Sequence, residues 1–522
     1  MKRLSPIELE FFRQLLTSIP EEMGAVLRKT AFSPNIKERR DYSCALYDAR
    51  GETLAMGDHM PVHLGAMPAS VAHAIAGAPL NPGDVVILND PFRGGTHLPD
   101  ITAVSAFFVK GRRAPAFYLA SRAHHSDVGG MSPGSMPLAR EIYQEGLRLP
   151  PVRLVRGGQI DPEILALILA NVRTPEEREG DLRAQLATLT RGEIRLREMV
   201  ARYGLPQIQR LSAELTAYSE RMMRALLASL PEGRFEFTDF LDDDGAGGPP
   251  APLRAAITLR PRHATIDFTG SSPQREGPIN ANLAVTTSAV FYVFRCLLDE
   301  DVPATGGLLR PLRIVAPEGS IVNARPPAAM AAGNVETSQR ITDVLLGALA
   351  QAIPARIPAA SSGTMNNLSL GGWDPRRQRR FAWYETIAGG MGASARHPGQ
   401  NAVHTHMTNS WNTPVEAFEH EYPLRIRQYR VRRGSGGPGL QPGGDGIVRE
   451  FEFLAPSDVT LLSDRLLHAP YGLAGGQPGA PGAATLVTGS TSRILPGKTT
   501  FRALPGHRLR IETPGGGGFG LE

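Results

Sequence analysis

The sequence predicts a multidomain α+β protein (mixed α/β) with mixed sheets, a central helical segment and a β-rich C-terminal part. Three observations lead to this prediction. The 522 residues are too many for one compact core. Strand-like runs alternate with helical patterns before residue 155 and after residue 233, whereas helical periodicity dominates between them. The last third is rich in Gly and Pro, which is typical of short strands joined by irregular loops.

Four regions follow from these patterns. We predict a metal-binding α/β region at 1–155, a helical region at 156–232, an α/β region at 233–380 and a β-rich region at 381–522. The predictions for individual elements are taken below in chain order.

The first region is predicted to begin with an amphipathic helix over residues 6–30. Its apolar face is expected to carry Ile7, Phe11, Leu15, Met23, Val26 and Leu27. Short strands are then predicted in SCALYD, DVVILND and AFYLASRAHH, and polar, Gly-rich loops follow the last two. Binding residues concentrate on such loops because a sheet positions them.

The later regions show equally clear patterns. Helices are predicted in ILALILANV and LRAQLATLTRGEIRLREMVARYG, then strands in FEFTDFLDDDG, LRAAITLRP and HATIDFTG. The acidic run 242–244 precedes GAGG, which favours a hairpin tip over a cation site. Apolar helices are predicted near 284–299 and 335–352, and strands in REFEFL and DVTLLSD.

Composition excludes several classes of protein. The net charge is only +5, and the arginines are spread along the chain, so no nucleic-acid-binding face is predicted. Two cysteines, Cys44 and Cys296, cannot build a disulfide framework, and both are predicted to be buried free thiols. No apolar run approaches the ~20 residues of a membrane span, and no signal peptide is evident. We therefore expect a cytoplasmic protein that does not bind membranes.

Histidines are concentrated where chemistry is expected. Six of the 13 histidines lie between residues 59 and 125: His59, His63, His73, His97, His124 and His125. In a cysteine-poor chain, histidine and carboxylate are the natural ligands of zinc, manganese or iron. His97 and Asp100 flank Pro99, so a turn is predicted that lets both side chains converge. Gly94 and Gly95 would allow the backbone to approach an ion closely.

A second cluster is His124-His125-Ser126-Asp127 at the end of a strand. On a strand, His124 and His125 point to opposite faces, so one of them is expected to be a ligand. Asp127 shares the face of His125 if the strand stays regular. Asp41 either completes the site or forms a salt bridge with Arg39 or Arg40. The competing interpretation is a polar network that holds no ion.

No nucleotide-binding fingerprint is present. The chain has neither G-x-x-x-x-G-K-[ST] nor a strand-linked G-x-G-x-x-G. The terminal TPGGGGFG has no helix after it, so we predict a packed or interfacial tail.

Several sequence blocks together resemble the hydantoinase B/oxoprolinase family over nearly the whole chain. They are DYSCALYD, HMPVHLGAMPAS, LNDPFRGGTHLPDI, ASRAHHSDVGG, GNVETSQRITDVLLGAL, SSGTMNNLSLGG, YETIAGGMGA, HTHMTNSWNTPVEAFEHEYPL and TPGGGGFG. The resemblance implies ATP-dependent hydrolysis of a small cyclic amide, such as a hydantoin, 5-oxoproline or a lactam. It also implies a hetero-oligomer in which a hydantoinase A-like subunit binds ATP and phosphorylates the substrate oxygen.

The resemblance also implies roles for individual residues. The ligands of a divalent metal ion (Zn, Mn or Fe) would be Asp41, His97, Asp100 and His124, with His125 an alternative to His124. His125 or Asp127 would act as the general base, and Asp90 would help to orient the ligands. The same resemblance allows a ketone carboxylase subunit, and a non-catalytic assembly subunit is a third hypothesis.

Three further predictions concern later blocks. Asn334 could be the N-cap of the helix that follows it. Glu336 and Arg340 could pair as i, i+4 neighbours or serve substrate or interface roles. His404, His406, Asn409 and Trp411 could line a pocket or contact the partner.

Overall fold

The computed structural model describes residues 5–521 apart from 58, 78 and 300. In this described part the strands form four sheets, of seven, four, four and five strands. The predicted α+β class is confirmed. None of the described helices is long and apolar enough to cross a membrane.

The first sheet is antiparallel and has the strand order β2-β1-β5-β4-β3-β6-β7. Its region contains α1 (Pro6–Thr30), α2 (Pro34–Lys37), β1 (Tyr42–Asp48), β2 (Thr53–Met56), α3 (Ala66–Gly77), β3 (Val85–Leu88), β4 (Asp100–Phe107), β5 (Phe117–His124), β6 (Val152–Arg156) and β7 (Gln159–Ile160). The three strands predicted here are confirmed.

The helical region contains α4 (Pro162–Ala170), α5 (Pro175–Tyr203) and α6 (Leu205–Ser229), as predicted. Helices α1 and α5 pack against each other and cover one face of the first sheet, whereas α3 covers the other face. This arrangement leaves one end of β1, β4 and β5 free to carry polar side chains.

The predicted apolar face of α1 is partly wrong. Ile7 and Phe11 are 81% and 54% exposed, whereas Phe12 and Leu16 are buried. The buried face lies one position further along the chain, because the helix turns that stripe toward α5 and β1.

The third region contains β8 (Gly233–Leu241), β9 (Ala251–Arg260), β10 (His263–Asp267), α7 (Leu283–Cys296), β11 (Leu312–Val315) and α8 (Ser338–Ala352). Its sheet is mixed, because β10 and β11 are parallel and the other pairs antiparallel. The acidic run lies in the β8–β9 hairpin connection, as predicted. A π-helical turn, Gly333–Thr337, precedes α8. Gly333 is required there because a Cβ would lie 1.7 Å from the carbonyl oxygen of Asn280.

The C-terminal region is built from two antiparallel sheets, with the orders β13-β12-β16-β19 and β14-β15-β20-β17-β18. Its elements are β12 (Asn367–Asp374), β13 (Arg379–Glu385), α9 (Val415–Glu421), β14 (Leu424–Arg432), β15 (Gly446–Phe453), β16 (Ser457–Leu462), β17 (Ala483–Thr488), β18 (Thr491–Leu495), β19 (Lys498–Ala503) and β20 (Arg508–Glu512). Both sheets contribute to one hydrophobic core.

Two other predictions are resolved by burial. The glycine-rich tail is packed, because Gly516 and Gly517 donate backbone hydrogen bonds to Gly444 and Ala360. Cys44 is buried as predicted, but Cys296 is exposed, because it lies near the end of α7 beside a surface cavity. The predicted region boundaries at 155/156 and 380/381 fall inside β6 and β13.

Candidate metal centre

Strands β1, β5 and β4 are neighbours in the first sheet, and the starts of β1 and β4 lie beside the end of β5. Asp100, the first residue of β4, lies directly opposite His124, the last residue of β5. The carbonyl of Asp41, which precedes β1, accepts a hydrogen bond from the backbone N–H of His124 at 3.0 Å. Side chains at directly opposite positions lie on the same face of a sheet. Strand pairing therefore brings Asp100 and His124 together, with Asp41 beside them.

His97 reaches the same place through the predicted turn. The backbone N–H of Asp100 donates to the carbonyl of His97 at 3.1 Å. As a result, Nε2 of His97 lies 3.4 Å from Oδ1 of Asp100, and Nδ1 of His124 lies 3.5 Å from the same oxygen. The three buried residues form a group that could hold a metal ion.

The spacing and chemistry of this group fit a tetrahedral ion. Metal–ligand bonds of about 2.0–2.2 Å at tetrahedral angles separate neighbouring ligand atoms by roughly 3.3–3.5 Å. Two nitrogens and one carboxylate oxygen are a donor set that zinc, manganese and iron accept. Oδ1 of Asp100 is also buried without a hydrogen-bond partner, so one ligand atom is left free for an ion.

The other carboxylate oxygen of Asp100 is held by the protein. Oδ2 accepts hydrogen bonds from Oγ1 of Thr96 at 2.6 Å and from Nδ2 of Asn334 at 3.3 Å. Nε2 of His63 lies 3.5 Å from it. The carboxylate is therefore fixed through one oxygen and open through the other.

Hydrogen bonds also orient the histidines. Nδ1 of His97 lies 3.1 Å from the carbonyl oxygen of Ala331, which requires a proton on Nδ1 and leaves a lone pair on Nε2. The ring of His124 stacks on Tyr384 with centroids 4.5 Å apart. Such supporting contacts keep ligand rings in the orientation that an ion requires.

The electrostatics favour the metal-binding protonation states of Asp100, His124 and His63, whereas the pKa of His97 shifts the other way. Burial raises the pKa of Asp100, but His97, His124 and His63 outweigh it and hold the pKa well below its usual range. Burial lowers the pKa of His124 and of His63. For His97 burial also lowers the pKa, but Asp100 outweighs burial and the net shift is upward. Among the described residues, no lysine or arginine forms a salt bridge with Asp100.

Asp41 forms the salt bridge with Arg39 that was the alternative to a ligand role, and it also lies close to His124. Its Oδ2 lies 3.9 Å from Nδ1 of His124 and 3.8 Å from Nη2 of Arg39. Arg39 in turn donates hydrogen bonds to the carbonyl of Tyr384 at 3.1 Å and to Oγ1 of Thr386 at 3.0 Å. Asp41 thus borders the group of three, and its role as fourth ligand stays a prediction.

His125 and Asp127 are not brought to this centre, and the geometry does not support a general-base role for them. His125 points to the opposite face, where Nε2 lies 2.9 Å from Oε1 of Gln185 on α5. Asp127 accepts hydrogen bonds from the backbone N–H of Gly129 at 3.0 Å and from Arg173 at 2.9 Å.

Two supporting predictions also need correction. Asp90 caps the turn after β3 by accepting from the N–H of Phe92 at 3.0 Å, and it does not contact the centre. Gly94 has φ of 89°, and a Cβ there would lie 2.5 Å from the carbonyl oxygen of Ala69 on α3. The close approach of this backbone is therefore to a helix and not to an ion.

His63 and Asn334 belong to the centre, although sequence reasoning gave neither of them this role. Nδ1 of His63 lies 2.8 Å from Oγ of Ser43, which directs its Nε2 toward Asp100. Asn334 is not an N-cap, because it lies inside the π-helical turn, and its Nδ2 is 3.1 Å from Nε2 of His97. Both residues lie in the sequence blocks quoted above, which is the signal that could have identified them.

The predicted Glu336–Arg340 pair is wrong. Glu336 accepts from the N–H of Met365 at 3.0 Å and from Nδ2 of Asn367 at 2.7 Å. Arg340 instead pairs with Asp343 at 2.8 Å. A π-helical turn shifts the register of the helix, so the i, i+4 rule does not apply across it.

Comparisons with known proteins show what the chain is similar to. A sequence model described as Hydantoinase B/oxoprolinase matches residues 5–522. A protein named 5-oxoprolinase 1 from Arabidopsis thaliana is 40% identical over 544 residues, which cover 98% of this chain. This chain spans only 42% of the length of that protein.

Two solved structures share the fold. The crystal structure of an ATP-dependent caprolactamase from Pseudomonas jessenii has a TM-score of 0.92 and 30% sequence identity, and the match covers 100% of this chain and 92% of that one. A nucleotide-free acetone carboxylase has a TM-score of 0.91 and 19% identity, over 99% of this chain and 76% of that one. At that identity the second match shows the fold alone.

Proposed function

This chain belongs to the hydantoinase B/oxoprolinase family, and we propose that it is the metal-binding catalytic component of an ATP-dependent enzyme that hydrolyses cyclic amides. The observation that carries the proposal is the buried group of His97, Asp100 and His124. The relatives named 5-oxoprolinase and ATP-dependent caprolactamase support the substrate class, because their names denote reactions of cyclic amides.

His97, Asp100 and His124 would hold the ion, with Asp41 as the fourth ligand. When bound, a divalent ion polarises a substrate oxygen and lowers the pKa of a water molecule toward about 7. Zinc, manganese and iron all fit this donor set.

The chain's own residues would prepare and complete the reaction. Thr96 and Asn334 fix Oδ2 of Asp100, so Oδ1 stays directed at the two histidine nitrogens. His63 borders Asp100 and replaces His125 and Asp127 as the residue proposed to accept or donate a proton. Its Nδ1 lies 2.8 Å from Oγ of Ser43, and its Nε2 lies 3.5 Å from Oδ2 of Asp100, at the border of the group of three.

We propose that a hydantoinase A-like component binds ATP and phosphorylates the amide oxygen. This phosphorylation would make the carbonyl carbon more electrophilic. The chain of the caprolactamase structure is matched over 92% of its length, so a chain of this size occurs as a separate polypeptide there. 5-oxoprolinase 1 is much longer, so that single chain also contains a large part that this protein does not match. We propose that this chain is likewise a separate polypeptide and forms a hetero-oligomer with a hydantoinase A-like subunit.

A ketone carboxylase is the second candidate, and its only specific support is the acetone carboxylase fold. The hydrolase is preferred because the caprolactamase and 5-oxoprolinase relatives are more similar in sequence. A non-catalytic assembly subunit is disfavoured by the open ligand atom of Asp100.

The test combines a partner and an assay. The chain is co-expressed with a hydantoinase A-like partner, and ring-opened product is measured from hydantoin, 5-oxoproline and caprolactam with and without ATP. We expect ATP-dependent ring opening of at least one compound, and about one divalent ion per chain by elemental mass spectrometry. Incorporation of labelled bicarbonate into a ketone, without ring opening, would establish the carboxylase instead. A fully active enzyme without divalent metal would remove the metal from the proposal.

A further inference from the structure

A cavity of about 500 Å³ lies on the surface beside residues 403–409, which we call the wall segment. One side of the cavity is apolar and includes Val293 and Leu297 of α7 and Leu346 of α8. A second cavity, of about 330 Å³, shares Pro61, Tyr292, Cys296 and Asn409 with it. Together they offer the size and the mainly apolar lining of a small-molecule site.

The wall segment supplies polar atoms that have no partner. Nε2 of His404 and Nε2 of His406 are buried and lack hydrogen bonds. Burial, aided by the Arg39 guanidinium, lowers the pKa of His404 to about 3, and burial lowers the pKa of His406 to about 4. Both rings are therefore neutral at pH 7, and each has one donor and one acceptor nitrogen. Leaving such atoms unpaired is costly, so a ligand that pairs them gains affinity.

The larger cavity offers no free charge among its described lining residues. Its one permanently charged side chain, Arg356, donates to Asp299 and to the carbonyl of Leu297, both at 2.7 Å. A phosphate or carboxylate would therefore find no unpaired cation there. A neutral ligand with an adjacent donor and acceptor fits this lining better.

The wall segment also adjoins the surroundings of the metal centre. Oγ1 of Thr408 lies 3.2 Å from Oγ of Ser410, which lies 3.4 Å from Nη2 of Arg39, the partner of Asp41. Met407 is fully buried, and its carbonyl accepts from the N–H of Val62, the neighbour of His63. One segment of chain thus faces the cavity on one side and the centre's surroundings on the other.

We propose that this cavity is a binding site for a neutral cyclic amide, held between the apolar side chains of α7 and α8 and the imidazoles of His404 and His406. The amide in a small ring is cis, so its N–H and carbonyl point the same way and meet neighbouring groups of one wall. The apolar side receives the ring methylenes. This inference rests on the proposed function and names a substrate subsite for it.

Cys296 makes the proposal measurable without catalysis. Cys296 is exposed in the lining that the two cavities share and Cys44 is buried, so iodoacetamide reports on these adjoining cavities. The purified chain, without ATP or partner, is alkylated in the presence of increasing caprolactam or hydantoin, and binding heat is measured by calorimetry. We expect saturable slowing of alkylation by about fivefold or more, and weaker protection by the acyclic trans amide N-ethylbutanamide.

Variants decide whether the histidines make the site. His404→Leu/His406→Leu, shown to be folded by circular dichroism and thermal melting, should lose both protection and binding heat. His397→Ala, an exposed histidine outside the lining, should keep both. The proposal is overturned if wild type shows neither protection nor heat, or if the folded double variant retains them. Hydrolysis in the co-expression assay without binding here would reject this site alone, whereas binding without hydrolysis would reject the proposed function.

Discussion

The candidate metal centre and a second buried polar cluster balance their charges differently. The second cluster, called the ionic network, consists of Arg340, Arg465, Lys498, Asp239, Asp343 and Asp464. Its contacts include Arg465–Asp239 at 2.7 Å and Lys498–Asp464 at 2.8 Å. Each of these three carboxylates thus contacts at least one arginine or lysine side chain, and Asp243 borders the network 3.9 Å from Lys498. At the metal centre, by contrast, Asp100 is surrounded by histidines and has no guanidinium or ammonium partner among the described residues.

This difference distinguishes a structural cluster from the proposed metal-binding site. The ionic network joins β8 and α8 to residues after β16 and in β19, so it fastens the third region to the C-terminal one. A buried carboxylate without a full counter-charge is costly. Among the described residues, Asp100 therefore lacks a cationic partner, which a metal ion would supply. The carboxylates of the ionic network already have arginine or lysine partners.

The largest effect is expected at the centre itself. His97→Ala removes one of three convergent ligand atoms, so affinity for the divalent ion should fall by more than about 100-fold, beyond the loss typical of a supporting residue. Product formation should fall to background. Elemental mass spectrometry of the purified variant and the ring-opening assay measure the two losses.

His73→Ala is the matched control, because His73 is an exposed histidine on α3 of the same region. It should keep the metal content and turnover of wild type. If His97→Ala also retained both, the comparison between the two clusters would lose its basis.

The ionic network should respond in stability rather than in metal content. Arg340→Met leaves Asp343 and Asp464 with less counter-charge inside the protein, and such a change costs about 3–5 kcal/mol of unfolding free energy. Urea unfolding measures the loss. Arg183→Ala, which breaks an exposed i, i+4 pair with Glu179 on α5, should cost at most about 0.5 kcal/mol. Equal losses in the two variants would show that the network does not fasten the regions.

A smaller effect is expected for a residue that supports the ligands. Asn334→Ala removes the amide donor that fixes Oδ2 of Asp100 and so directs Oδ1 at the ion. Metal affinity should fall by about 10- to 100-fold, with the fold retained. Asn171→Ala, which removes an exposed amide bonded to the carbonyl of Leu167, should leave metal affinity unchanged. If Asn334→Ala kept the metal affinity of wild type, Asn334 would not contribute to holding the ion.

The sequence predicted contacts between residues close together in the chain better than contacts between residues far apart. A turn and the ends of predicted strands, which are local features, indicated His97, Asp100 and one of the two histidines His124 and His125, and the family resemblance favoured His124. Asn334 and Ala331 come from more than 200 residues away, and only tertiary packing brings them near. The residue pattern alone could not decide between His124 and His125. Alternation along a strand shows that the two rings lie on opposite faces of the sheet, but only the pairing with β4 shows which face carries Asp100.

Glu145 shows a third way to balance a buried carboxylate, and its effect should be the most gradual. It accepts from the N–H groups of Met330 and Ala331 at 2.6 and 2.8 Å, beside the carbonyl that orients His97. Burial raises its pKa to about 8, against the opposing pull of these N–H groups. Between its unfolded pKa near 4.5 and about 8, the folded chain therefore keeps a proton that the unfolded chain has released.

Raising the pH through this window must then favour the unfolded state. The unfolding free energy of wild type should fall, relative to Glu145→Gln, by up to about 1.4 kcal/mol per pH unit, and urea titrations from pH 5.5 to 7.5 measure the two slopes. Glutamine keeps the acceptor oxygen for Met330 and Ala331 but does not titrate. Parallel slopes would mean that Glu145 stays ionised and must be counted with Asp100. Diverging slopes would mean that a proton neutralises Glu145, which leaves Asp100 and Asp41 as the carboxylates available to an ion.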